Sequence, residues 1–411
     1  MTRHLPPFGT LKLTREEEFA ARQQASEVIQ RTLALEIEYR RQGTAVDTKE
    51  WKKVSTVDDF HVYKQRRAVR RRSDPPIRRD TTCSVDIATP ELFSVRDDSS
   101  TKWRDSTIAG SESTLDRSPS SWSASSGNEP RVPRILCTGN VEGNLEDFMY
   151  GVYDGDDDAW RLRAAYIKDK FDEARILATI EGPSKDDPFR FLGIKWFTTA
   201  YPPVVGSFIQ KRDTLVIESM GIAKDEHGVP YGYYIMDDYA HSNLPDRSEY
   251  GLLRNKFSMC FIHRQLAPNR IGEYARGFVD SGGNVPPAVT ISIASISLSS
   301  VTNGVETAYN KKLALLMASE RGRRRAASAA PSSVCESCHK SAHGVLSRSL
   351  VDCHVCGHLF CGKCIVERKL IVDTQSCQMS SRALPFCFAC ILRAKQLSSA
   401  DLMLTPDSKK Q

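Results

Sequence analysis

Six short stretches decide the fold: ARILATIEG (174–182), FRFLGIKWF (189–197), DTLVIESMGI (213–222), YGYYIMDDYAH (231–241), KFSMCFIHR (256–264) and IGEYARGFV (271–279). Each is rich in β-branched and aromatic residues, and Gly, Pro and Asp turn residues separate them, so each reads as a strand. No long helical pattern lies between them, which predicts a mostly antiparallel sheet. Phe257, Met259 and Phe261 fall on one face, Cys260 and Ile262 on the other. A sheet with one solvated face alternates more cleanly, so both faces should be covered, with a ligand cavity as one candidate cover.

Toward the N-terminus, residues 14–40 read as a helix. Thr14 and Glu17 form a capping box, and Phe19, Val28, Ile29, Leu33 and Ile37 roughly follow helical spacing. Trp51–Val54 and Phe60–Tyr63 read as two short strands, Asn144–Val152 and Asp157–Lys168 as two helices. Between Val69 and Pro130 an Arg-rich run gives way to Ser, Thr, Asp and Gly. Such a segment buries too little apolar area to offset chain entropy, so disorder is expected there. Beyond Pro286-Pro287, residues 288–301 (AVTISIASISLSSV) suit a strand by composition, yet Val289, Ile293 and Ile296 share one helix face. Residues 306–320 (ETAYNKKLALLMASE) are helical and 321–333 (RGRRRAASAAPSS) a linker.

The chain has 411 residues, enough for two or three domains. Its net charge is +6, but Lys64–Arg79 alone carries +7, leaving −1 for the rest. The basic balance is therefore local, and no nucleic-acid partner is expected. No apolar run approaches the ~18 residues of a membrane span. The opening MTRHLPPFGTLKLTREEE has no apolar h-region, so an intracellular protein is expected.

Of 12 cysteines, nine lie between Cys335 and Cys390. Eight form C-x2-C pairs: Cys335/Cys338, Cys353/Cys356, Cys361/Cys364 and Cys387/Cys390. Each pair lets two thiolates from one tight turn reach one ion, and zinc takes four such ligands at ~2.3 Å. Four pairs make two structural zinc sites with no open position. Some 60 residues bury too little surface to fold alone, so the metal would supply much of the folding energy.

The run Cys353-His-Val-Cys356-Gly-His-Leu-Phe360-Cys361-Gly-Lys-Cys364 resembles the core of a FYVE-type zinc finger. The resemblance implies a cross-brace. Cys335, Cys338, Cys361 and Cys364 would hold one ion; Cys353, Cys356, Cys387 and Cys390 would hold the other. Cys377 is left over as a loop thiol. The family's W-x2-D, its basic R-(R/K)-H-H-C-R and its R-V-C motif are replaced here by AAPSSVC, Arg348-Ser-Leu-Val-Asp352-Cys353-His354 and Leu384-Pro-Phe-Cys387. The bidentate arginine and paired histidines that grip phosphate are missing. A phosphoinositide is thus the weaker candidate partner, beside protein or membrane contact. A rival set, Cys335, Cys338, Cys356, His358, Cys361, Cys364, Cys387 and Cys390, follows the order of a RING finger and would imply an E3 ubiquitin ligase scaffold. It orphans Cys353 and Cys377 and lacks the usual Pro after Cys387.

The larger part resembles a START-type lipid-binding domain. The resemblance rests on WKKV and VYKQR at residues 51–66, Lys211-Arg212-Asp213, the stretch from Met236 to Pro245, and the turn Asp280-Ser-Gly-Gly283-Asn-Val-Pro286. It implies an α+β helix-grip fold, a curved antiparallel sheet around a long C-terminal helix, and makes the segment from Pro287 helical. The expected layout is a discontinuous START-like domain (5–68 and 131–319), a disordered insert (69–130), a basic linker (320–333), a FYVE-like finger (334–394) and a tail (395–411). The family's cavity holds one lipid, for which Phe191, Trp196, Tyr233, Met259 and Phe261 are candidate walls. Three motifs suggest no chemistry. Asp154-Gly-Asp-Asp-Asp158 lacks the Gly and Glu of a calcium loop. His241 and His263, placed in strands, have no nucleophile set around them. Arg212 and Asp213 read as a structural ion pair. The expectation is a non-enzymatic cytoplasmic protein with two zinc ions, peripheral on endosomal membranes. It would bind or carry a lipid; a scaffold with a filled cavity is the alternative.

Overall fold

The first helix, α1 (Arg15–Arg41), starts at its capping box. Thr14 Oγ1 accepts from the Glu17 amide at 3.2 Å, and the Glu17 carboxylate accepts from the Thr14 amide at 2.8 Å. The computed structural model describes residues 8–66, 132–167, 171–199, 209–283, 285–322, 333–341, 350–373 and 379–405. The expected insert, most of the linker, Cys83, Arg348 and Cys377 lie outside the described residues. Ala21, Ala25, Val28, Ile29 and Leu33 make the buried stripe of α1, whereas Phe19 is 67% exposed and takes no part in it.

Nine strands follow: β1 (Trp51–Val57), β2 (Phe60–Gln65), β3 (Arg134–Glu142), β4 (Phe171–Glu181), β5 (Phe191–Thr199), β6 (Arg212–Lys224), β7 (Pro230–Asp238), β8 (Leu253–Ala267) and β9 (Arg270–Asp280). They form one sheet in the order β1-β2-β3-β9-β8-β7-β6-β5-β4, antiparallel between all neighbours, with a short parallel contact of β6 and β8. The six quoted stretches are β4 to β9. β3 escaped the sequence reading because Thr138, Gly139 and Asn140 break its apolar run. Gly139 is required there: a Cβ would lie 2.1 Å from the Asp59 carbonyl oxygen.

The face formed by Leu192, Ile194, Trp196, Ile217, Cys260 and Ile262 packs under α1. The opposite, inner face packs under α2 (Leu145–Val152), α4 (Pro287–Ser299) and α5 (Gly304–Ser319); α3 (Asp157–Ile167) lies beside α5. Both faces are covered, as the continuous apolar strands require, and the body is α+β with α4 against β1, β2 and β9 and α5 packed on α2. α4 is helical despite its β-branched content, because Pro287 sits at a first-turn position where its missing N–H costs nothing. The run Pro287–Ser319 has a mean hydropathy of 1.3 over its most apolar window, long and apolar enough to cross a membrane by length and composition. Serines and threonines hid this in the sequence. Val305, Ala308, Leu313 and Leu316 are buried within the protein.

The cysteine-rich segment contains two hairpins, β10 (Val351–Asp352) with β11 (Leu359–Phe360) and β12 (Ile365–Asp373) with β13 (Ser380–Cys387), then α6 (Phe388–Gln396) and α7 (Ser399–Leu404). Leu313 and Leu316 of α5 share a core with Cys335, Cys353, Leu370 and Phe386. Met403 of α7 belongs to the inner-face core of the body.

Candidate functional site

Two of the C-x2-C turns are built alike. The His339 amide donates to the Cys335 carbonyl at 2.9 Å, and the Gly357 amide to the Cys353 carbonyl at 2.8 Å. Both residues are left-handed, with φ of 55° and 79°. Only the second is a glycine, so His339 holds a conformation that an L side chain rarely adopts. Cys387 caps α6, and its sulfur accepts from the Cys390 amide at 3.4 Å. A helix N-terminus favours a thiolate at that position.

These turns converge into two groups of four sulfurs. Cys335, Cys338, Cys361 and Cys364 form the first; Cys353, Cys356, Cys387 and Cys390 form the second. Within each group all sulfurs lie within 4.8 Å of one another. Tetrahedral bonds of ~2.3 Å give edges of about 3.8 Å. The Cys338–Cys361 sulfur separation is 3.7 Å, close to that edge, so an all-thiolate donor set of this size suits such an ion. Each group could therefore hold one metal ion, in the interleaved pairing the finger resemblance implied. His358 is exposed and belongs to neither group, and Cys353 belongs to the second. The RING ligand order is thus not the order in which the sulfurs meet. Cys353→Ser should cost the full chain one bound metal equivalent by elemental analysis, while His358→Ala should keep both. Retention of both in Cys353→Ser would reverse the assignment.

The five expected wall residues do not share a face. Phe191, Met259 and Phe261 lie on the inner face. Trp196 and Tyr233 lie on the α1 face, because each is an odd number of residues from a neighbour that points inward. Trp196 Nε1 donates to Asp213 at 2.8 Å, and the Tyr233 hydroxyl contacts Arg190. Side chains of α2 reach onto the inner face. A Cβ on Gly232 would lie 2.8 Å from Met149 Sδ and 3.0 Å from Leu145 Cδ1. Phe148 packs on His263 at 4.5 Å between ring centroids. Two concavities lie elsewhere. One of about 350 Å³ sits beside Cys356, Cys364 and Phe388; another of about 320 Å³ lies between the end of α1 and Tyr63, Thr138 and Tyr274.

The inner face also carries charge that sequence reasoning missed. Lys195 Nζ donates to Asp154 Oδ1 and Glu218 Oε1, both at 2.6 Å, and Arg163 Nε lies 2.7 Å from Asp154 Oδ2. The Tyr234 hydroxyl donates to Glu218 at 3.0 Å. Burial raises the Glu218 pKa, and the neighbouring Asp154 charge adds to the rise. Burial also opposes ionisation of Asp154, but Arg163 and Lys195 hold its pKa below the usual value. The rejected calcium loop thus supplies a buried ion-pair partner. His263 donates to or accepts from Glu273 across 2.6 Å, both side chains being fully buried. His241 is not in a strand: it follows β7 and reaches Glu17 at 3.0 Å. Arg212 and Asp213 do not pair. Arg212 bonds the Ser281 carbonyl at 3.1 Å, fixing the turn before α4, while Asp213 pairs with Arg254 at 2.8 Å.

Lys311 donates to the carbonyls of Tyr150, Gly151 and Tyr153, each at 3.0 Å, closing the end of α2. Burial lowers its pKa from 10.5 to about 7, with Asp154 pulling the other way. Between those values the unfolded chain binds the extra proton, so this group makes stability rise with pH from about 7 to 10.5 and adds no slope below. The stability of the parent should rise relative to Lys311→Met between pH 7 and 9 in urea titrations. A constant difference would exclude this role.

No protein-family profile matches the chain, and no curated protein matches it. Solved structures with similar folds include human STARD10 (11% identity, TM-score 0.37, covering 65% of this chain and 77% of that one). Human StAR-related lipid transfer protein 5 matches at 15% identity and a TM-score of 0.39 over 71% of this chain and 97% of that one. The human StarD13 lipid transfer and protein localization domain matches at 9% identity and a TM-score of 0.35 over 67% and 95%. Likenesses of this size carry no information on what the chain binds.

Proposed function

We propose that the chain is a non-enzymatic, two-zinc, lipid-binding protein of START type with a degenerate FYVE-like finger, acting at the cytoplasmic face of endosomal membranes. The observation that carries the lipid reading is the inner face. Phe191, Met259 and Phe261 share one apolar cluster with residues of α2, α4 and α5, in the element order that the START resemblance implied. A sterol or acyl chain displacing α2 side chains from that face would gain ~0.8 kcal/mol per buried CH2. Zinc is the metal that suits all-thiolate tetrahedral sites with no open position. The finger then serves structure and docking, since the residues that grip phosphate in its relatives are absent.

A second reading is favoured by Leu145, Phe148 and Met149, which occupy the same face. On it the body is an interaction scaffold with a filled interior. Native mass spectrometry of the full chain after incubation with mixed phospholipid–sterol vesicles separates the two. One lipid with two zinc ions supports lipid binding; two zinc ions without lipid support the scaffold. Ubiquitin transfer in a reconstituted assay would overturn both.

A further inference from the structure

The two metal centres are not equivalent in what they hold. Cys387 and Cys390 of the second centre sit at the head of α6. That helix runs along α5: Arg393 pairs with Glu320 at 2.7 Å, and Lys395 lies over the Tyr309 ring at 4.7 Å. At its end the Leu397 carbonyl accepts from Lys312 Nζ at 2.6 Å. Lys312 also pairs with Asp147 of α2 at 2.5 Å, and Ser399 of α7 donates to the same carboxylate oxygen at 2.6 Å. Met403 then enters the inner-face core. From the first centre, Cys361 and Cys364 lead into β12, which meets α5 and α3 through Arg368 with Glu306 at 2.7 Å and the Ile371 amide with the Tyr166 hydroxyl at 3.1 Å. Neither link touches α2.

We propose that the second metal centre is a latch. By fixing the first turn of α6, it aims α6 and α7 so that Ser399 and Met403 lock α2 and α5 against the sheet. The first centre shapes the finger without setting that lock. Asp147 is the keystone, because one buried carboxylate receives a lysine from α5 and a hydroxyl from α7 while its amide is capped by Asn144 at 2.8 Å. Metal occupancy at one site is thereby read as protection of a helix in another part of the chain. A metal-free second centre would free the inner face that α2 covers.

This inference rests on the two-metal reading of the finger, so metal content is measured beside it. Hydrogen exchange of the full chain tests it with Cys390→Ser for the second centre and Cys338→Ser for the first. Each variant should lose one metal equivalent. Amides of 145–152 should exchange about tenfold faster or more in Cys390→Ser, as expected when a local lock is released, and at the parental rate in Cys338→Ser. Equal effects of the two variants, or unchanged protection in Cys390→Ser after metal loss, would overturn the latch. Should Cys390→Ser fail to fold, Met403→Ala keeps all eight thiolates. It should release α2 with both metals bound, and unchanged protection there would also overturn the proposal. Two metals retained in a cysteine variant would instead overturn the two-metal reading.

Discussion

Stripping metal from the full chain with a strong chelator should unfold residues 333–341, 350–373 and 379–397 while the nine-stranded sheet stays formed. Apart from the β12–β13 hairpin and a small core shared with Leu313 and Leu316, the cysteines carry the finger. β10 and β11 pair over two residues each, and Cys335, Cys353, Cys387 and Cys390 are themselves part of its buried core. Without an ion, four sulfurs confined within 4.8 Å must either protonate or repel. Structural zinc in such sites contributes on the order of 10–16 kcal/mol of apparent binding free energy near neutral pH, which is folding free energy where no apo site persists. The sheet has its own two cores, on the α1 face and on the inner face. Hydrogen exchange with and without chelator reads both parts at once. A finger that stays protected after its metal has gone would defeat the prediction.

Lys195→Met is expected to destabilise the body by about 3–5 kcal/mol, since removing one partner of a buried ion cluster leaves uncompensated charge. Asp154 and Glu218 would then face each other with Arg163 as the remaining close cation of the cluster. Lys195 is fully buried and also lies 4.6 Å from the Trp160 ring centroid and 4.7 Å from that of Phe191. Methionine keeps most of that packing while removing the charge and its hydrogen bonds to Asp154 and Glu218, so the loss reports the polar cluster. Adding Glu218→Gln removes one facing carboxylate and should recover part of the stability, as matched removal is milder than breaking a pair. Urea unfolding of the three proteins tests this. A single variant within about 1 kcal/mol of the parent would mean that the cluster relaxes or takes up a proton at little cost.

Much of the sheet was legible because β5 to β9 carry long buried apolar runs on both faces and all six stretches are punctuated by turn residues. The two groups of four cysteines were legible because C-x2-C spacing is a covalent constraint that tertiary context cannot change. The inner face was legible only by half. Period-two alternation separates Phe191 from Trp196, but which parity faces α1 is decided by packing across the whole sheet. Lys195, flanked by Ile194 and Trp196, has the spacing of a solvent-facing strand residue; only its meeting with Asp154 and Glu218 makes burial tolerable. The joining of the finger to α5 was invisible for a similar reason. Leu313 and Leu316 look like any helix core, and nothing local says that their partner is a metal site.

The pairing of β2 with β3 has a practical consequence. Lys64 lies opposite Ile135, so the chain leaves the sheet and returns to it on adjacent strands about 4.8 Å apart. Whatever length of polypeptide joins them, its ends are already held together, and each doubling of that length adds only ~0.6 kcal/mol of closure entropy. Shortening the crossing, or grafting a reporter protein into it, is compatible with an intact sheet, because the two strand ends stay paired whatever lies between them.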